Sequence, residues 1–232
     1  MTNVLRSRVY LSVSVLCLGL ALPAAASTIF DNSAHDLVTR FNPGTLEVGD
    51  EIVLAGSDRL LTDFSFEYWG ENTTHADAFT GTIEARVQFY QNTGALFNGY
   101  AAPAATSFYS SDWCLIPAPT NRATFTFTSG LDWSIYGLPM PVESNMTWSV
   151  QFRGMAGDDS VGVDLYSPPV VGADYPDYWQ NDGTGWALMT NSPSMDFAAR
   201  MEATVPEPST LALSVCGGLG LLILARRLRR KE

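Results

Sequence analysis

Between Ser27 and Thr204 the chain repeats one pattern, an apolar side chain at every second position. Phe64, Phe66 and Tyr68 alternate with Asp63, Ser65 and Glu67, and Ile83, Ala85, Val87 and Phe89 alternate with Glu84, Arg86 and Gln88. Ala123, Phe125 and Phe127 alternate with Thr124, Thr126 and Thr128. Met146, Trp148, Val150 and Phe152 alternate with Thr147, Ser149, Gln151 and Arg153. Val161, Val163 and Leu165 form a further set, and Phe197, Ala199, Met201 and Ala203 the last. An extended strand projects successive side chains to opposite faces, so period two predicts strands with one apolar and one polar face. A one-residue slip would exchange the faces, so the same pattern predicts the register.

Weaker strand signals lie at His35–Phe41, Asp50–Ala55, Thr106–Trp113 and Gly185–Thr190, and no amphipathic helix of useful length is evident. Turn sequences such as Asn42-Pro43-Gly44, Asn92-Thr93-Gly94 and Asp182-Gly183 separate the segments. About ten short strands with turn signals predict an all-β domain, residues 27–204, a single antiparallel β-sandwich that is jelly-roll-like. The apolar alternates should face the core between the sheets and the Thr, Asp and Gln alternates water. Phe64, Phe66, Phe89, Phe125, Phe127, Trp148 and Phe152 should carry most of the burial, at about 1.5–3 kcal/mol each. Cys114 has no second cysteine nearby and reads as a small apolar filler.

The charge of the 232-residue chain is unevenly placed. Its formal net charge is −11, yet residues 27–205 hold six arginines, no lysine and 22 acidic residues, a charge of −16. Such a body excludes nucleic acid as a partner, because phosphate binding needs basic side chains. The remaining basic residues sit near the two ends.

Arg6 and Arg8 precede fourteen uncharged residues, Val9–Leu22, followed by Pro23 and Ala24-Ala25-Ala26. A short apolar run with basic residues before it and small residues after it predicts a secretory signal peptide, residues 1–26, with Ala24 and Ala26 set for signal peptidase. At the other end, residues 205–232 read Val205-Pro206-Glu207-Pro208-Ser209, an apolar stretch Thr210–Ala225, then Arg226, Arg227, Arg229, Arg230 and Lys231. The stretch predicts a short transmembrane helix with its basic cluster on the cytoplasmic side, which would leave the body outside.

The order of these three parts resembles the PEP-CTERM sorting tail of secreted bacterial proteins, whose Pro-Glu-Pro core falls on Pro206, Glu207 and Pro208. The resemblance covers the tail alone. It implies export, an inner-membrane-anchored precursor, processing by an exosortase that reads Glu207, and delivery to the cell surface, outer envelope or extracellular matrix. The prolines suit that role, since they keep the motif extended and outside any preceding sheet.

Catalytic signatures are absent: there is no His-x-x-His, Cys-x-x-Cys, Gly-x-Ser-x-Gly or phosphate loop, and the only histidines are His35 and His75. The expected function is that of a non-enzymatic surface or matrix protein, with no required cofactor. The richest constellation runs from Tyr166 to Trp186 and reads as one long loop. It carries Asp174, Asp177 and Asp182 beside Tyr175, Tyr178, Trp179 and Trp186, with Asp158 and Asp159 on an earlier turn. Three readings stay open. The five aspartates could supply oxygen ligands to a structural Ca²⁺. The four aromatics could stack on sugar rings of an exopolysaccharide. Or the aspartates form turns and the aromatics pack inward. A secreted hydrolase is a further alternative, requiring two carboxylates ~5–10 Å apart in a cleft.

Overall fold

The computed structural model describes residues 26–128, 140–190 and 196–205, all within one compact unit bounded by Ala26 and Pro206. Ala24, the apolar runs at both ends, Pro206, Glu207, Pro208, Ser209 and the basic cluster Arg226–Lys231 lie outside the described residues. Of the tail motif only Val205 is described. It is half exposed just beyond the last strand.

The described residues contain strands and no helix. In chain order the strands are β1 Ser27–Asp31, β2 Asp36–Phe41, β3 Glu47–Val53, β4 Leu60–Asn72, β5 Glu84–Gln91, β6 Leu96–Phe97, β7 Tyr100–Ala101 and β8 Tyr109–Ser110. They continue with β9 Cys114–Leu115, β10 Thr120–Thr128, β11 Met140–Pro141, β12 Asn145–Arg153, β13 Asp159–Tyr166, β14 Ala173–Asn181, β15 Trp186–Thr190 and β16 Ala199–Thr204. Sheet A runs β1-β16-β4-β13-β2, with β10 and β11 also on β4. Sheet B runs β15-β14-β3-β12-β5-β8, with β9 also on β5. Among the described residues every strand pairing is antiparallel. From β3 onward the long strands β3, β4, β5, β10, β12, β13 and β14 alternate between the two sheets.

The two sheets bury one common core, an arrangement consistent with a β-sandwich. Trp148 of sheet B lies 5.3 Å from Phe64 and 6.1 Å from Phe66 of sheet A, and Phe64 meets Phe89 edge-on at 5.2 Å. Phe197 closes the other side of Trp148 at 6.0 Å. Six of the seven large side chains expected to dominate burial are buried. Phe125 is only partly buried: among the described residues β10 pairs with β4 alone, at the edge of the sheet. Cys114 also packs against this core, and its desolvation, with Asp112 and Glu84 nearby, raises its thiol pKa. Close approach matters at Gly162 in β13, where a Cβ would stand 1.9 Å from the Phe41 carbonyl oxygen of β2.

Two expectations need correction. Thr106–Trp113 supplies only the two-residue β8. Residues 173–190, read as a loop followed by a weak strand, form the hairpin β14–β15. Its alternation is hidden by a bulge between Asp174 and Tyr178, where β14 has two more residues than β3, and by Pro176 within it.

The shared core makes Trp148 the side chain with most to lose. Trp148→Ala is expected to destabilise the domain by about 3–5 kcal/mol, measured by urea denaturation. A loss below about 1 kcal/mol would show that the sheets are held together elsewhere.

Candidate functional site

The polar alternates of sheet B do not simply face water. Thr147, Ser149, Gln88, Glu47 and Glu51 lie on the side of the sheet away from the core, yet all five are buried. What covers them is the segment that follows β5. There β6 and β7 form a small hairpin whose Asn98 and Gly99 both take positive φ, at 52° and 92°. Phe97 meets Trp179 edge-on at 5.8 Å, and Tyr100 meets Tyr175 at 5.3 Å. Trp186 of β15 packs edge-on against Tyr90 at 5.1 Å.

Under this cover a polar network runs across four strands. Glu47 accepts hydrogen bonds from Ser149 Oγ at 2.6 Å, Tyr90 OH at 2.9 Å and Asn181 Nδ2 at 3.4 Å. Gln88 Nε2 donates to Tyr90 OH at 2.5 Å. Glu51 accepts from Trp179 Nε1 at 3.4 Å. Asn92 accepts from Thr147 Oγ1 at 2.8 Å and donates to Asn145, whose own amide reaches Tyr175 OH at 3.4 Å. Burial raises the Glu51 pKa against the hydrogen bonds of Trp179, Asn145 and Asn92, and burial beside Glu47 raises that of Tyr90.

The four aromatics singled out from the sequence therefore separate. Tyr178 points into the inter-sheet core, edge-on to Phe41 at 5.2 Å and tilted against Phe197 at 5.8 Å. Trp179 belongs to the covered face and is fully buried. Tyr175 and Trp186 are half-buried at its rim. Of the other members of this network, the sequence marks Gln88 only as a polar alternate and Asn92 only as a turn residue. Alternation places these side chains opposite the core but cannot show that a hairpin covers them.

The five aspartates separate as well. Asp159 opens β13 in sheet A, and Asp158 lies in the turn before it, where it accepts from Thr74 Oγ1. Asp159 is an anchor for two loops: Oδ1 accepts from Asn72 Nδ2 at 2.7 Å and Thr80 N at 2.9 Å, Oδ2 from Gly81 N at 2.7 Å and Ala156 N at 3.1 Å. Desolvation opposes the charge, but these donors outweigh it and hold the pKa at about 2. Asp174 and Asp177 lie on β14, and Asp182 in the hairpin turn accepts from Thr184 N and Oγ1. Among the described residues no three His, Cys, Asp or Glu side chains are grouped to hold a metal.

Asp174 instead shares the interior with two other acids. Asp50, fully buried on the core side of β3 between Val48 and Ile52, accepts the Phe197 N–H at 3.0 Å through Oδ2. Burial drives its pKa well up, and the Asp196 and Asp174 carboxylates add to the rise. Burial, with Asp196, lifts Asp174 to about 7. Compared with known proteins, the chain matches no family model, no curated protein and no solved structure.

A carboxyl with a raised folded-state pKa holds its proton more tightly in the folded chain. Stability is then fully present below the unfolded value near 3.8 and is lost as pH rises through about 7 for Asp174. The melting temperature should fall between pH 5 and pH 8, and Asp174→Asn should flatten that fall. A melting temperature level across this range would overturn the assignment. Since the Asp159 oxygens are occupied by backbone and Asn72 donors, EDTA should leave the midpoint unchanged while Asp159→Ala lowers it. A drop on chelation would instead reveal a stabilising cation.

Proposed function

We propose that the chain is the precursor of an exported, non-enzymatic bacterial surface or matrix protein whose body binds polysaccharide. Signal peptidase removes residues 1–26, the tail holds the precursor in the inner membrane, and an exosortase processes it at Pro206-Glu207-Pro208. The body then works at the cell surface, in the outer envelope or in the extracellular matrix, as a jelly-roll-like sandwich. Support for the last point comes from the regular alternation of its long strands between sheets. Support for export is the order of motif, apolar stretch and basic cluster behind a signal-peptide pattern.

The observation that carries the binding reading is the aromatic and polar face of sheet B. At the rim of the covered network the amides of Asn92, Asn145 and Asn181 stay partly exposed and can exchange hydrogen bonds with sugar hydroxyls, and the rings of Tyr175 and Trp186 stand half-buried beside them. Planar rings beside a few fixed polar groups suit the apolar faces and equatorial hydroxyls of a sugar chain.

Two experiments test the two halves. Mass analysis and fractionation of wild type and Glu207→Ala should show the wild-type protein without its C-terminal segment and the variant retaining it. A wild-type protein that keeps the segment leaves only a membrane anchor. On immobilised exopolysaccharide from the producing cells, Trp186→Ala should weaken retention about tenfold, the scale of one lost aromatic contact of ~1.4 kcal/mol. Equal retention of variant and wild type would remove the sheet B face as the binding surface.

A further inference from the structure

The outer face of sheet A carries a cleft of about 640 Å³, lined by Asp36, Val38, Thr39, Arg40, Asn121, Arg122 and Asp164. That volume is in the range of sites that enclose small molecules. Two of the body's six arginines meet here. Arg122 pairs with Asp36 and, at 3.2 Å, with Glu67, and its guanidinium lies 5.3 Å from the Tyr166 ring. Arg40 pairs with Asp164 at 3.7 Å, donates Nη2 to the Asn121 carbonyl at 2.7 Å, and lies 5.6 Å from the Trp69 ring. These bonds leave donors of its five-donor guanidinium for a ligand.

Two further features mark the cleft. Asp164 is only 3 % exposed, and among the described residues its Oδ2 has no hydrogen-bond partner, a need that a donor reaching it would meet. Val38 is a β-branched residue held at φ 55° while 88 % exposed. Its N–H is fixed by Asp36 Oδ1 at 2.7 Å, and this conformation is costly for such a side chain. A strained exposed residue held in place by a cleft aspartate is a feature that folding alone does not call for.

We infer that this cleft is a second binding site, distinct from the sheet B face, and that its ligand is a neutral saccharide. The charges decide the class. Two guanidinium groups face three carboxylates, so an anion meets Asp36, Glu67 and Asp164, and a cation meets Arg40 and Arg122. A sugar hydroxyl both donates and accepts, so one pair of adjacent hydroxyls can donate to Asp164 and accept from Arg40 together. The choice of a saccharide rests on the polysaccharide reading above; the site itself rests on the cleft. With one site on each outer face, a single molecule would link two polymer strands, and binding at both would raise avidity without any new contact.

The test is calorimetric titration of the folded body, residues 27–205 expressed as the processed protein, with neutral trisaccharides (cellotriose, maltotriose, mannotriose) and with trigalacturonate as the anionic comparison. A neutral trisaccharide should bind, Arg40→Gln should weaken it about tenfold, and Thr39→Trp, a blocking substitution at an exposed position, should do the same if Arg40→Gln disturbs folding. The loss caused by Arg40→Gln should persist in a Trp186→Ala background, where the sheet B face no longer contributes. No binding of any neutral trisaccharide, or tighter binding of trigalacturonate, overturns the inference. Neutral binding lost in Trp186→Ala but kept in Arg40→Gln and Thr39→Trp would overturn the cleft while upholding the sheet B face.

Discussion

The contact of Trp148 with Phe64 and Phe66 is the point from which the rest of the molecule is organised. It joins the middle strand of sheet B to the long strand β4 of sheet A, and Phe89 and Phe197 complete the shell around it. β4 can act as a spine because it is thirteen residues long. It pairs with β16 over its first half, with β13 over its second and with β10 along most of its length. Burial of these rings supplies the non-directional force, and the ladders fix which residues stand opposite one another.

Once the two inner faces are joined, the outer faces become the surfaces on which chemistry can be placed, and they are treated differently. On sheet B the strands carry Glu47, Gln88, Tyr90, Thr147 and Ser149 under a hairpin, with each carboxylate oxygen of Glu47 bonded. Such a network is stable only when its members are satisfied, because desolvated polar groups without partners are costly. On sheet A the outer face stays open as a cleft of paired charges, with Asp164 incompletely satisfied. The interior has its own exception in Asp50 and Asp174, whose tendency to hold protons follows from burying carboxyl groups near one another.

Much of the fold was legible because period two leaves a strong imprint where a strand has one apolar face. The segments around Phe64, Val87, Phe125, Trp148, Val163 and Met201 all became strands with those residues turned inward. β14 was not legible, since its bulge and Pro176 break the alternation and its residues resemble loop composition. The site was legible only in part. Tyr175 and Trp186 reached the rim of a polar face, but Tyr178 was drawn into the core and Trp179 was covered by Phe97. One residue of offset along a strand decides which face a ring joins.

By itself the sequence determined the all-β class, the inward faces of most strands, the acidic and lysine-free character of the body and the apolar and basic segments towards its ends. These are local properties, read from neighbours along the chain. Only the tertiary structure decided that Glu47, Tyr90, Asn145 and Asn181 form one network, that Asp50 and Asp174 share an interior, and that Arg40 and Arg122 enclose a cleft with Asp164. Each of these groupings joins residues on different strands. The pairing that brings them together is set by the packing of two whole sheets, which no local stretch of sequence contains.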